Sequence, residues 1–380
     1  MPIAWCQGAR TRMALRPTFL NVSLSATMLL CLPGAIPGQA LPHADYTGAS
    51  AGRLSEPFHS ATPLEALPSN GRRPNWNHGY VAHMTGNGTP GSASVEVFDR
   101  NGKHVIDARI WFPGVVEVFL VDAVPLEGGG VLASGHATTD ETIFNFVAKT
   151  DNSGNVIAVV RTENLWPARV CEQPDGTVWV FGRDLQIENA NADANNNVDV
   201  NVNDNDYLLL RQYSFEGGLL HSYLSRDSVA LRAKAAVGGG GPQGSYLDCG
   251  KSIVSLYLNQ TDEFVQVDAA KESMQRWKMD MSPITSGKVT GLGVTESGRV
   301  YASLYAVQPG ETKVHGLFEL HAEPGKPMGS WLPVAGTLSS HREGEIVTQN
   351  TFWRLWGADG NNLVIGRQYD PSFSWVRVVH

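Results

Sequence analysis

One phrase recurs along most of the chain, and it restricts the possible folds more than any other feature. An apolar strand runs through a glycine turn into a strongly β-forming strand. A variable connection, an alternating strand, a tight turn and a last strand follow. The second strand is the clearest marker, as Gly79-Tyr-Val-Ala-His-Met84, Gly130-Val-Leu-Ala-Ser-Gly135, Thr177-Val-Trp-Val-Phe-Gly182, Ser252-Ile-Val-Ser-Leu-Tyr257, Arg299-Val-Tyr-Ala-Ser-Leu304 and Asn362-Leu-Val-Ile-Gly-Arg367. Turns such as Pro174-Asp175-Gly176, Glu296-Ser297-Gly298 and Ala358-Asp359-Gly360 precede the markers, and glycine supplies the positive φ that such turns need. Where connections are short the copies are spaced by about 47 to 51 residues, a propeller-like repeat length. Six copies predict an all-β fold, a six-bladed β-propeller of four-stranded antiparallel blades over residues 77–380. Short strands at regular spacing also suit β-sandwich domains, which remain the alternative. With 40 glycines, 10 tryptophans and only 17% charged residues, the composition fits a turn-rich globular protein.

The two ends carry separate signals. The chain closes on Phe373-Ser-Trp-Val-Arg-Val-Val-His380, a third strand with no fourth after it, so the segment 41–76 is expected to close the ring. Residues 1–40 contain Arg10, Arg12 and Arg16 but no acid, then a mostly apolar stretch from Phe19 to Ile36 and the small-residue end Gly38-Gln39-Ala40. That layout predicts a signal peptide cleaved after Ala40, with Met13 as a second possible start. Asn21, Ser23, Ser25, Thr27 and Pro33 interrupt the apolar run, which argues against a membrane anchor. Cys31 follows Leu29-Leu30, where a lipoprotein signal would carry a small residue. A secreted or periplasmic monomer with no transmembrane segment after cleavage is expected. Loss of the three arginines moves the formal charge from −8 to −11, which disfavours nucleic acid as a partner. Cys6 and Cys31 leave with the leader; Cys171 and Cys249 remain, either as a disulfide or as two separate buried thiols.

The phrase has neither the Gly-His and Trp-Asp signature of WD40 repeats nor the paired glycines of kelch repeats. A valine-rich first strand leading through an Asp-Gly turn into an aromatic and aliphatic second strand resembles the NHL and gluconolactonase-like six-bladed propellers. The resemblance covers roughly residues 77–380 and is one of architecture. For a gluconolactonase-like enzyme it implies a metal in the central tunnel, held by carboxylates and amides from several first strands. Asp122, Asp248 and Glu296 are partial candidates, at blade positions that do not match one another.

In a four-stranded antiparallel blade, the second-to-third and fourth-to-first connections share one face. The long segments Arg183–Asp206, Ser225–Gly244, Val307–Lys313 and Gly336–Asn350 all fall in that set, which marks it as the working face. His83, His136, Arg183 and Arg367 end second strands there. Trp166 and Arg169 enter from a fourth-to-first connection, and Arg354 and Trp356 begin the last blade. Guanidinium forks with flat apolar surface suit a small anionic or sugar-like ligand, although aromatic residues in blades also serve as packing between sheets. Glycine precedes the cationic or titratable residue in Ser134-Gly135-His136, Phe181-Gly182-Arg183 and Ile365-Gly366-Arg367, and is expected to let the strand leave its blade. In the long insert, Asp193, Asp199, Asn201 and Asn203 place oxygen-bearing side chains as calcium would need. Asp204 stands where a calcium loop has glycine and Leu210 where it has glutamate, so a solvated low-complexity loop competes. No nucleophile elbow, phosphate loop or zinc spacing is present. The expected function is therefore an exported binding or interaction propeller for a small molecule or a protein partner. A metal-dependent lactonase-like hydrolase and a purely structural surface protein are the alternatives.

Overall fold

The computed structural model describes residues 50–57, 59–61, 75–89, 91–184, 208–225, 245–259, 261–280, 286–308, 312–342, 353–367 and 373–380. The predicted leader, 1–40, lies outside them, and Leu41–His380 forms one compact unit.

Almost every described residue belongs to a strand or a tight turn between strands. Two short strands come first, β1 (Gly52–Leu54) and β2 (His59–Ala61). Three four-stranded antiparallel sheets follow in chain order. They are β3 (Asn75–Asn77) to β6 (His104–Trp111), with β4 (Tyr80–Thr89) and β5 (Ser92–Asp99) between; β7 (Glu117–Pro125), β8 (Val131–Thr138), β9 (Ile143–Thr150) and β10 (Val156–Glu163); and β11 (Leu165–Glu172), β12 (Val178–Asp184), β13 (Leu208–Ser214) and β14 (Gly218–Ser225). Next come β15 (Tyr246–Cys249), β16 (Ile253–Leu258), β17 (Glu263–Asp268) and β18 (Ser273–Met279). They are followed by β19 (Ser286–Val294), β20 (Val300–Gln308), β21 (Thr312–His321), β22 (Met328–Ala335) and the short β23 (Ser339–Arg342). The chain ends with β24 (Trp353–Asp359), β25 (Asn362–Arg367), β26 (Phe373–Val376) and β27 (Val378–Val379).

The last sheet takes its fourth strand from the other end of the chain, in the order β2-β26-β25-β24. His59, Ser60 and Ala61 pair with Trp375, Ser374 and Phe373, so β26 is paired on both sides and the sheet reaches four strands. The separate four-stranded sheets number four, not the six that the repeat predicts. The remaining strands form a single 11-stranded sheet, because β18 pairs in parallel with β22 through Lys278 with Met328 and Met279 with Gly329. β1 lengthens the same sheet, pairing with β22 and β27.

Burial is graded within each sheet. The second strand β8 is buried along nearly its whole length, whereas the fourth strands β6 and β10 alternate exposed and buried positions. A strand between two sheet faces must be apolar on both sides, and an outer strand needs only one apolar face. Large side chains such as Trp179, Trp277, Trp375 and Phe146 fill the spaces between neighbouring sheets.

One turn design serves four hairpins. In Asp99–Lys103, Asp151–Asn155, Gln173–Thr177 and Thr295–Arg299 the glycine N–H donates to the first residue's carbonyl, and the first residue's N–H donates to the fifth's. Gly176 and Gly298 have φ of 83° and 80° with open space around them, so conformation and not crowding requires glycine there.

The first strands touch in a closed cycle: β3, β7, β11, β15, β19, β24 and back to β3. The long connections bear out only part of the expected pattern. Segments 185–207 and 226–244, outside the described residues, join a second to a third strand and a fourth to a first, and 343–352, also outside them, joins β23 to the first strand β24. By contrast β20 runs to Gln308 and β21 starts at Thr312, so the connection expected at Val307–Lys313 is short. Within Gly336–Asn350, four residues form β23, paired with β21.

Candidate functional site

The cycle of first strands encloses a cavity of about 390 Å³. Its wall combines aromatic rings (Trp76, Phe119, Tyr246, Trp356) with the amides Asn75 and Asn77, the carboxylates Asp122 and Asp248, and Arg169.

A belt of ties crosses from strand to strand around this wall. Asn75 Nδ2 donates from β3 to Asp122 Oδ1 (2.8 Å) and to the Ala123 carbonyl (2.6 Å) on β7. Asp122 Oδ2 accepts the Val170 N–H of β11 at 3.1 Å. The next residue, Cys171, forms a disulfide with Cys249 of β15, with the Cα atoms 5.6 Å apart. Asp248, beside Cys249, accepts the Cys249 N–H on Oδ1 (2.9 Å) and the Val294 N–H of β19 on Oδ2 (2.7 Å). Beyond β19 the strands close by approach of bare backbone. A Cβ on Gly293 would lie 3.0 Å from the Gly357 carbonyl carbon, and one on Gly357 would lie 2.7 Å from the Trp76 carbonyl oxygen.

The two carboxylates thus do one job at two places, bridging a first strand to a backbone N–H of the next. Glu296 does not join them; it lies exposed in a turn, its N–H donating to the Gly360 carbonyl. Asp248 opens partly to the cavity but has protein on every side. That enclosure pushes its carboxyl up to about 7, against the lowering effect of the two N–H donors.

The expected ligand residues fall into three groups. His136, Trp166 and Arg183 come together: the His136 ring stacks on Phe119 (5.0 Å between centroids) and lies 4.5 Å from Trp166, with the Arg183 guanidinium 5.4 Å over Trp166. Burial lowers the His136 pKa, against the raising effect of Glu117. Arg169 and Trp356 line the cavity itself. Arg169 donates Nε to the Ser245 carbonyl (3.0 Å) and Nη1 to that of Ala168 (2.7 Å), and lies 5.9 Å over Tyr246. Arg354 sits 4.9 Å over Trp356. His83 stands apart. It does not end its strand, because β4 continues to Thr89, and its ring is buried with Nδ1 3.5 Å from Glu96 Oε2. Arg367 pairs with Trp353 in the backbone register; its side chain, like the proposed calcium residues Asp193, Asp199, Asn201 and Asn203, lies outside the described residues.

Gly135 and Gly182 have a different role from the one expected. Added Cβ atoms would meet the Phe119 and Trp166 carbonyl oxygens at 2.0 and 2.2 Å, beside register shifts in the facing first strands. Glycine there admits a bulged neighbour, and β8 and β12 run on past it. Trp76, Phe119 and Tyr246 carried no local motif; only their places on first strands could have marked them.

No family model matches the chain, and no curated protein sequence matches it. Solved structures do resemble it. A DUF4221-family protein from Bacteroides vulgatus aligns at 9% identity over 86% of this chain and 97% of its own, with a TM-score of 0.41. A protein described as exported, from Bacteroides fragilis, aligns at 10% over 89% and 98%, with a TM-score of 0.41. A protein described as a gluconolactonase aligns at 12% over 80% and 96%, with a TM-score of 0.33. Likeness at this level carries nothing about ligand or chemistry.

Proposed function

We propose that the chain is an exported six-bladed binding propeller that takes a small polar molecule into the cavity among its first strands. The cavity carries this reading: its volume and its lining of rings with a few polar groups are those of a small-molecule site. The blade number rests on the closed cycle of six first strands. In the 11-stranded sheet, β15 to β18 and β19 to β22 are each antiparallel runs of four, joined over only two residue pairs. Export is supported by the charged, apolar and small-residue order of residues 1–40 and by the Cys171–Cys249 disulfide, a bond of oxidising compartments.

The hydrolase reading has less support. Asp122 and Asp248 spend an N–H bond on each oxygen, and the described residues contain no group of three His, Cys, Asp or Glu able to hold a metal. An anionic ligand also fits poorly, because two carboxylates face one guanidinium in the wall. A thermal-shift screen of small polar compounds, with calorimetry on the hits, tests the proposal. Trp356→Ala should abolish binding of any hit; a hit whose affinity survives that change while falling with Arg183→Ala would move the site out to the His136, Trp166 and Arg183 cluster.

A further inference from the structure

We propose that the molecule taken up in the cavity is an organic cation, an amine or quaternary ammonium compound, with Asp248 as its counter-charge and Phe119, Tyr246 and Trp356 as its aromatic wall. This rests on the reading that the cavity is the ligand site. Asp248 accepts two backbone N–H groups and, among the described residues, forms no ion pair. A carboxylate accepts about four hydrogen bonds, so acceptor capacity remains. An enclosed carboxylate without a neighbouring positive charge is costly when ionised, which is why its proton is held toward neutrality. A cation entering the cavity removes that cost, and a neutral polyol does not.

The wall separates organic cations from metal ions. Indole, phenol and phenyl faces attract a cation through the ring quadrupole and cover its apolar body. Calcium or magnesium instead needs six or more oxygen ligands, and among the described residues the carboxylate and amide side chains of the wall are only Asp122, Asp248, Asn75 and Asn77. Arg169 does not supply the missing charge at Asp248: its Nε and Nη1 bond to the carbonyls of Ser245 and Ala168, and burial and two backbone N–H donors alone account for the Asp248 carboxyl.

Calorimetric titration of the purified full chain at pH 8 tests this with choline and butylamine, their uncharged isosteres, and calcium chloride. Each cation should bind about tenfold or more tightly than its isostere, and Asp248→Asn should remove that preference. Should Asp248→Asn unfold the chain, Tyr246→Leu serves instead and should reduce the preference while leaving isostere binding unchanged. Equal binding of cation and isostere, a preference that survives both substitutions, or a response to calcium alone would overturn the cation assignment. If neither cation binds but a neutral compound does in a Trp356-dependent way, the cation assignment fails and the cavity reading stands. If no compound's binding depends on Trp356, both fail.

Discussion

The two arcs of the cavity wall are held by different physics. From β3 round to β19, successive first strands are tied by named side chains: Asn75, Asp122, the Cys171–Cys249 bridge and Asp248. From β19 through β24 back to β3, Gly293 and Gly357 let backbones approach until a single methyl group would collide. The tied arc fails when a specific polar or sulfur atom is removed. The glycine arc has no such atom to lose and fails when one is added. The difference also bears on function, since every carboxylate of the wall lies in the tied arc and the charge of the cavity is therefore one-sided.

Four perturbations set one arc against the other. The largest effect should come from the disulfide, whose cysteines are 78 residues apart. Replacing both by alanine should cost about 2–5 kcal/mol in chemical denaturation, as loop closure no longer restrains the unfolded chain. A loss below that range would mean the polar ties suffice for the arc. Gly357→Ala should come next, at about 1–3 kcal/mol, because the new Cβ meets a fixed carbonyl oxygen and not a flexible side chain. Gly293→Ala, with a contact of 3.0 Å against 2.7 Å, should cost less, and the reverse order would show that the arc can relax. Asp122→Ala leaves the Val170 N–H without its acceptor and the Asn75 amide with the Ala123 carbonyl alone, and should cost about 1–3 kcal/mol. A neutral result would mean water replaces the carboxylate.

A further effect is one of slope. The folded Asp248 carboxyl is raised from 3.8 to about 7, so its proton is bound more tightly folded than unfolded. Its contribution is complete below about pH 4 and is lost as the pH rises through about 7. Thermal melts across that window should show stability falling with pH in the parent and a flatter profile in Asp248→Asn. Parallel profiles would remove Asp248 from the enclosed, unpaired state described above.

Local chemistry made much of this molecule legible. Strand periodicity, the Asp-Gly and Ser-Gly turns and the six-fold phrase act over a few residues, and they identify the strands, the hairpins and the all-β class. The unpaired third strand at Phe373 to Val376 pointed to a partner strand elsewhere, because an open edge has unsatisfied N–H and C=O groups. What the sequence did not disclose depends on pairing between distant segments. Whether neighbouring sheets stay separate or join, as β18 and β22 do, is decided by a contact between residues 50 apart in the chain. His83 and His136 look alike as histidines on second strands, yet one is packed beside Glu96 and the other stacks on Phe119 with Trp166 tilted against it. Asp122 and Asp248 look unmatched in sequence, yet each accepts a backbone N–H of the next first strand. The sequence by itself determined which segments are strands and where they turn, since those preferences are local. The tertiary structure alone decided which polar groups meet around the cavity, because hydrogen bonds, a disulfide and backbone contacts between strands 46 to 281 residues apart exist only once the cycle has closed.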